Sequence, residues 1–200
     1  MDLSWLKHPY PALIDIGAND GAFAAHLCKT FAIDIVHAFE PLARHSEALH
    51  ARGYNVHQLA LSDVDREAQF VVTEYDPASS LRQPTQQCLD EFPAARQAGR
   101  ETIQVRRLDG VLAPIAGALI KVDAQGEEAR IIAGGTNVFA AASVVLIEMT
   151  FVPLYEGGSL FNDIHARLAA LGFNLAGFRS QNISEATKRP LFAHCIYTRD

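Results

Sequence analysis

Short apolar runs of strand length alternate with segments of helical period along most of this chain of 200 residues. That alternation constrains the fold more than any other feature. Strands separated by helices imply a largely parallel sheet with helices on both faces. Residues 12–16 (Ala-Leu-Ile-Asp-Ile) predict a short buried strand that ends at Gly17. Phe23, Leu27 and Phe31 then recur at four-residue steps, with Ala24 and Cys28 alongside, which predicts one helical face. A second strand is predicted over 33–39. Pro41 can open the next helix, since a first-turn residue needs no backbone N–H partner, and that helix is expected to run to Arg52 and close at Gly53. A third strand is predicted over 54–61.

The pattern then departs from simple alternation. Residues 67–75 predict an added strand, 76–87 a polar stretch with two prolines, and 102–108 a further strand. Alternation resumes with a strand at 118–122, a helix over about 127–142 and a strongly apolar strand at 143–149. Leu160, Ile164, Leu168 and Leu171 share one side of an amphipathic helix over 159–171, which Gly172 stops; 173–178 and 191–197 complete the strands. No segment repeats and no linker divides the chain, so one α/β domain over 1–200 is expected, with about 1–10 as an N-terminal segment. In such open sheets ligands sit beyond the carboxyl ends of the strands, where the strand order reverses. Residues that close strands therefore matter most.

Composition narrows the class. Hydrophobic residues make up 49% and charged residues 20%, which suits a packed core rather than disorder. A formal net charge of -6 and the lack of any Lys/Arg run argue against nucleic acid as a partner, because phosphate attraction needs clustered cations. No apolar run approaches the roughly 20 residues that span a bilayer, and residues 1–10 lack the apolar core of a signal peptide. Cys28, Cys88 and Cys195 are odd in number and have no metal-ligand spacing. A reducing, cytoplasmic setting without membrane association is therefore expected.

The first strand runs into Asp15-Ile16-Gly17-Ala18-Asn19-Asp20-Gly21. Gly17 and Gly21 let the backbone turn tightly and approach a ligand, and the helix that follows presents unpaired N–H groups. Asp15 is expected to face the ligand's charge. A carboxylate there favours S-adenosylmethionine, which carries an ammonium and a sulfonium, and repels a dinucleotide's pyrophosphate. The dinucleotide fingerprint G-x-G-x-x-G also fails, because Asn19 and Ala22 take its second and third glycine positions. Glu40, about 20 residues after the loop and at the end of the second strand, is expected to accept both ribose hydroxyls.

With those residues in hand, the chain resembles the FkbM family of methyltransferases. The resemblance rests on Asp15-Ile16-Gly17-Ala18-Asn19, Ala38-Phe39-Glu40-Pro41, Ala60-Leu61-Ser62-Asp63, Ser79-Ser80-Leu81, Leu108-Asp109, and Ile120-Lys121-Val122-Asp123 with Gly126 and Glu128, in the family's order. It implies a Rossmann-like class I methyltransferase fold, with a mostly parallel seven-stranded sheet and an added strand or hairpin. It also implies S-adenosylmethionine as methyl donor and O-methylation of a hydroxyl on a saccharide or small natural-product-type acceptor. Asp15, Gly17, Asn19 and Gly21 would then surround the methionine part, Glu40 the ribose, and Leu61 and Ser62 the adenine ring. Asp123 would close the fourth strand at the methyl-transfer site and also touch the cofactor. Gln125 and Glu127 stand where the family commonly has Glu and His.

Asp123 is the first candidate for base or acceptor anchor, and Glu148, ending the next strand, is the second. The loop 152–158, with Tyr155 and Glu156, and the Ser79-Ser80 segment, through Ser80, are expected to meet the acceptor. No metal is expected, because Asp123 and Glu148 offer two oxygen ligands and no third is evident in the sequence. Two rivals stand beside this expectation. One is a nicotinamide-dependent oxidoreductase, which Glu40 would also serve; the other is a catalytically silent scaffold member of the same fold. Oligomeric state is left open.

Overall fold

The computed structural model describes residues 3, 5–6 and 9–199, so the ends of the expected 1–200 unit and part of its 1–10 segment lie outside the described residues. The chain forms β1 (Leu13–Ile16), α1 (Ala22–Phe31), β2 (Val36–Phe39), α2 (Ala43–Ala51), β3 (Asn55–His57), β4 (Ala60–Leu61) and β5 (Arg66–Thr73). Next come α3 (Gln86–Glu91), β6 (Gln97–Arg106), α4 (Leu108–Val111), β7 (Leu119–Val122), α5 (Glu128–Gly134) and α6 (Thr136–Ala141). The last elements are β8 (Val144–Thr150), α7 (Phe161–Ala170), β9 (Asn174–Ile183) and β10 (Pro190–Thr198).

Seven strands form one sheet in the order β3-β2-β1-β7-β8-β10-β9, and β4, β6 and β5 form a second, three-stranded sheet. β3, β2, β1, β7 and β8 run parallel, while β10 is antiparallel to both of its neighbours. The expected seven-stranded sheet with an added hairpin is therefore the architecture observed. The central strands β1, β7 and β8 are buried along their whole length, which is why they read as continuous apolar runs rather than alternating ones. Their two faces feed two cores. Ile14, Ile16, Ile120 and Val122 pack with α5 to α7, whereas Leu13, Leu119 and Leu146 pack with Leu27 and Phe31 of α1.

Four local expectations change. The strand expected over 54–61 divides at Gln58: β3 pairs with β2, but Ala60 and Leu61 pair with Val105 and Arg106 in the small sheet. Both halves carry apolar residues, so the pattern has no break to show. The helix expected over 127–142 breaks at Gly134-Gly135. A Cβ on Gly134 would come within 2.0 Å of the Ser62 carbonyl oxygen, so a second backbone passes where a longer helix would carry side chains. Asp109 completes the break by accepting from the backbone N–H groups of Asn137 and Val138, which caps α6. α2 starts at Ala43 rather than Pro41, because the Leu42 N–H is taken by the Glu40 carboxylate. Finally, α3 interrupts the expected polar stretch, with the Thr85 hydroxyl accepting from the Cys88 N–H at its start.

Sheet order reverses between β1 and β7, whose neighbours lead away in opposite directions. The crevice above their carboxyl ends is where this fold places a ligand.

Candidate active site

Two cavities open at those carboxyl ends. The first, of about 310 Å³, is lined by Gly17, Asn19, Glu40, Lys121 and Asp123 on its polar side. Phe39, Leu42, Leu61, Phe70, Leu81 and Ile131 form an apolar slot at its other end. The second, of about 530 Å³, lies towards β8 and β10, between Glu148, Tyr155, Phe92, Phe192 and Asn182. Pro77, Asp123, Gln125 and His194 line both. These residues are the wall through which a molecule in one cavity reaches a molecule in the other.

The β1–α1 loop is shaped from below. Gly17 has φ +73°, and a Cβ there would come within 1.9 Å of the Asp123 carbonyl oxygen, so only glycine permits the approach of the two strand ends. Asn19 also sits at positive φ (49°), and its N–H donates to Glu40 Oε2 at 2.9 Å. Glu40 Oε1 accepts from the Leu42 N–H at 2.9 Å. Burial pushes the Glu40 carboxyl up, and these two backbone donors, with His45 and Lys121 nearby, act against it. A carboxylate offers about four lone-pair sites, so two remain for hydroxyls of a ligand in the cavity.

Asp15, expected to face the ligand, does not line either cavity. The pleat decides this: Asp15 shares the face of Leu13, two residues back, and points into the α1-side core, where it is 1% exposed. Its partner across the ladder is Lys121, whose Nζ lies 3.1 Å from Asp15 Oδ1 in ion-pair contact. Burial raises the Asp15 pKa, and the lysine partly offsets it. For Lys121, burial works downward, but Asp15 and Asp123 outweigh it and keep the ammonium charged. Lys121 in turn donates to the carbonyl oxygens of Gly17 (2.5 Å) and Ile16 (3.3 Å). Asp15 therefore supports the lysine that holds the loop.

Other expected residues also fall behind the surface. Gly21 packs against Leu49, Arg52 and Tyr54 rather than bordering a cavity. Ser62 lies under Leu61, and its hydroxyl donates to Glu127 Oε1 at 2.6 Å. Glu127 also receives Arg82, with Nη2 2.7 Å from Oε2, in a buried ion pair. Ser80 is 1% exposed and donates to the Gln125 carbonyl oxygen at 2.7 Å, which steadies a residue held at φ +51°. Glu156 is exposed and outside both cavities; its backbone carbonyl accepts from Arg82. The 152–158 loop is tied down by Thr85, which bonds to Pro153 and Leu154, and by a bridge between Pro84 and Tyr155.

The strand ends β7, β8 and β10 converge on one cluster. Gln125 Nε2 donates to Asp123 Oδ1 (2.5 Å) and Glu148 Oε1 (3.3 Å), while its Oε1 accepts from the Tyr155 hydroxyl at 2.8 Å. His194 Nε2 lies 3.5 Å from Glu148 Oε2 and 4.0 Å from Asp123 Oδ2, and its Nδ1 meets the Ser180 hydroxyl at 3.0 Å. Burial, then Asp123 and Glu128, push the Glu148 carboxyl well above its usual range. Burial also lowers the His194 pKa. Glu148 and His194 face each other directly across the β8–β10 ladder at the rim of the second cavity. Glu128, pushed up to about 7 by burial, accepts from the N–H groups of Ala124 and Gly126 and clamps the turn that carries Gln125.

Two residues that the sequence pattern did not single out belong here. His194 has no neighbouring histidine to advertise it, and only the β8–β10 register sets it opposite Glu148. Arg179 of β9 reaches the mouth of the first cavity, with its guanidinium 4.5 Å over the Phe23 ring. His194 also removes the premise behind the expectation of no metal, since it supplies a third group beside Asp123 and Glu148.

The first cavity fits S-adenosylmethionine. Its apolar slot suits a flat adenine ring, Glu40 offers free acceptor positions, and the polar end carries both a carboxylate and a guanidinium. Comparison with known proteins agrees. Residues 15–175 match the model of the Methyltransferase FkbM domain. The chain is 29% identical over 171 residues to 2-O-methyltransferase NoeI of Sinorhizobium fredii (strain NBRC 101917 / NGR234), covering 78% of this chain and 70% of that protein. Among solved structures, it resembles a Listeria monocytogenes protein described as an S-adenosylmethionine dependent methyltransferase, with TM-score 0.53, 9% identity, and 95% and 91% of the two chains covered. It also resembles Sp1610 of Streptococcus pneumoniae, described as a tRNA (m1A22) methyltransferase and solved in complex with S-adenosyl-L-methionine, with TM-score 0.51, 13% identity, and coverage of 95% of this chain and 66% of that one. A nicotinamide-dependent oxidoreductase is not favoured by any of these. No helix among the described residues is long and apolar enough to cross a membrane. Sheet order, cavity and family match converge: the chain belongs to the FkbM family of S-adenosylmethionine-dependent methyltransferases.

Proposed function

We propose that this enzyme methylates a hydroxyl of a saccharide or small natural-product acceptor, with the donor in the first cavity and the acceptor in the second. The observation that carries this is the shared wall: Asp123, Gln125 and His194 border both cavities, so donor and acceptor meet there. The second cavity suits a sugar ring. Phe92, Phe192 and Tyr155 offer flat apolar faces, while Glu91, Asn182 and Glu148 offer hydrogen-bonding groups for hydroxyls. The Sinorhizobium relative is a 2-O-methyltransferase, which supports oxygen as the accepting atom.

In this proposal Glu40 holds the ribose and Leu61 flanks the adenine. Gly17 and Asn19 border the methionine part, Arg179 meets its carboxylate, and Asp123 faces its ammonium. When bound, S-adenosylmethionine supplies a methyl carbon activated by a sulfonium leaving group. The residues' main task is alignment, which can contribute on the order of 7–11 kcal/mol. Asp123 and Glu148 anchor the acceptor hydroxyl and accept its proton, a contribution of roughly 10²–10⁴-fold. Tyr155 acts through Gln125, whose amide it orients. The charge of -6 and the three free cysteines support a cytoplasmic setting and a non-nucleic-acid acceptor.

The test is methyl transfer from labelled donor to a panel of mono- and oligosaccharides, with release of S-adenosylhomocysteine measured alongside. Asp123→Asn should retain folding and lose at least a hundredfold in turnover. Turnover at the normal rate would remove Asp123 from the chemistry. Donor binding without release of S-adenosylhomocysteine on any acceptor would favour the silent scaffold instead.

A further inference from the structure

The sheet register lines up four side chains across adjacent strands. Ser180 of β9 stands opposite His194 of β10, and His194 stands opposite Glu148 of β8. Asp123 directly follows Val122, whose ladder partner is Ile147, so it falls beside Glu148 at the end of the neighbouring strand. Neighbouring strands lie about 4.8 Å apart, and side chains in such a row must meet. One ligand atom from each of Asp123, Glu148 and His194 lies within 4.8 Å of the others.

The outer contacts divide these groups into used and unused atoms. Gln125 Nε2 occupies Asp123 Oδ1 and Glu148 Oε1. The other oxygens, Asp123 Oδ2 and Glu148 Oε2, both turn towards His194 Nε2, at 4.0 Å and 3.5 Å. Ser180 engages Nδ1, which leaves Nε2 as the free ring nitrogen on the cavity side. Two carboxylate oxygens and one imidazole nitrogen thus aim at a single point at the junction of the cavities. Lys121, the buried cation nearest to them, spends its ammonium on Asp15 and on the Gly17 and Ile16 carbonyl oxygens.

We propose that Asp123, Glu148 and His194 form a divalent-cation site of the Mn²⁺, Fe²⁺ or Zn²⁺ class. The imidazole suits Fe²⁺ and Zn²⁺, and the two carboxylates also suit Mn²⁺, whereas Mg²⁺ and Ca²⁺ prefer oxygen alone. Ligand atoms on one face of a cation held at 2.0–2.2 Å lie about 3 Å apart, so the 3.5 Å and 4.0 Å spacings to His194 need close by about an ångström or less. Side-chain rotation supplies that movement. Ser180 and Gln125 serve as the outer partners that orient the ligands, as hydrogen-bonded neighbours do around bound metals. Three protein ligands on one face leave the opposite face open towards the acceptor cavity, where two oxygens of a vicinal diol can complete the coordination. The diol rests on the proposed function; cation binding by the three side chains does not.

The experiment uses chelator-treated full-length protein without acceptor, titrated separately with Mn²⁺, read by the resonance signal of the free ion, and with Zn²⁺, read by calorimetry. One site per chain is expected for at least one of the two ions. His194→Ala and Glu148→Gln should each weaken it at least tenfold with unchanged circular dichroism. Wild-type protein with no stoichiometric site for either ion, or variants that bind as tightly as wild type, would overturn the proposal. Donor binding measured on the same samples separates the two ideas. Protein that binds donor but neither ion leaves the methyltransferase site standing and removes the cation; protein that binds a cation through His194 and Glu148 supports the inference whatever acceptor is found.

Discussion

Glu40→Gln is the sharpest single test of the donor site, because shape is retained while one acceptor oxygen and the charge are lost. In the wild type the buried carboxylate accepts from the Asn19 and Leu42 N–H groups, both at 2.9 Å, and keeps its remaining lone pairs for the ligand. An amide can satisfy only one of those N–H groups; the other then faces an NH₂. A hydrogen bond to a charged group contributes about 1.5–3 kcal/mol net, so donor affinity should fall roughly 10- to 150-fold. Chemical denaturation should show a loss of about 1–3 kcal/mol in stability as well, since the loop contact weakens with or without ligand. That structural cost has to be separated from a direct ribose contact, and a thermodynamic cycle does so. S-adenosylhomocysteine and its 2′-deoxy analogue are bound to both proteins in calorimetry. If Glu40 grips the ribose, removal of the hydroxyl weakens binding to wild type but scarcely affects Glu40→Gln, which gives a coupling of about 1 kcal/mol or more. Losses that simply add within roughly 0.5 kcal/mol would show that Glu40 only shapes the loop, and the ribose assignment would be wrong.

Two further predictions concern the scaffold. Gly17→Ala and Gly53→Ala both place a Cβ at positive φ, which costs about 1–2 kcal/mol, but only at Gly17 does the new atom overlap the Asp123 carbonyl, while nothing lies within 4 Å at Gly53. Gly17→Ala should therefore lose more stability and also donor affinity, with Gly53→Ala losing the backbone penalty alone; equal losses in denaturation would contradict the close approach. For Glu128, the folded carboxyl keeps its proton to about 7 whereas the unfolded one releases it near 4.5, so the folded state binds more protons between those values. Stability then falls as pH rises through that window, by on the order of 3 kcal/mol in all. Glu128→Gln should flatten this part of the stability–pH curve, and an unchanged slope would refute the buried-proton account.

Much of this protein was legible one segment at a time. The strand–helix alternation, the glycine bend at Gly17 and the acidic residue at Glu40 are local signals, because a buried parallel strand, a left-handed turn and a strand-end carboxylate each need particular residues at particular spacings. Asp123 and Leu61, which the family resemblance singled out, and Tyr155, from the loop after the apolar 143–149 strand, also line the cavities. The misplacements share a different cause. Asp15 turned inward because the pleat, set by what packs on each face, and not its distance from Gly17, decides which side it occupies. The helix over 127–142 broke because Ser62, far away in the chain, passes against Gly134. Ser80 became a support once Gln125, held at positive φ, came beside it.

Local periodicity thus determined most of the strands and helices, and hence that the chain builds a largely parallel α/β sheet; the ordered motifs, through their family resemblance, made it a methyltransferase-type one. Only the tertiary structure decided that Asp123, Glu148 and His194 meet, since that meeting depends on strand order and register across positions up to 71 residues apart. Register is set by the packing of whole sheet faces, and no short stretch of sequence contains it.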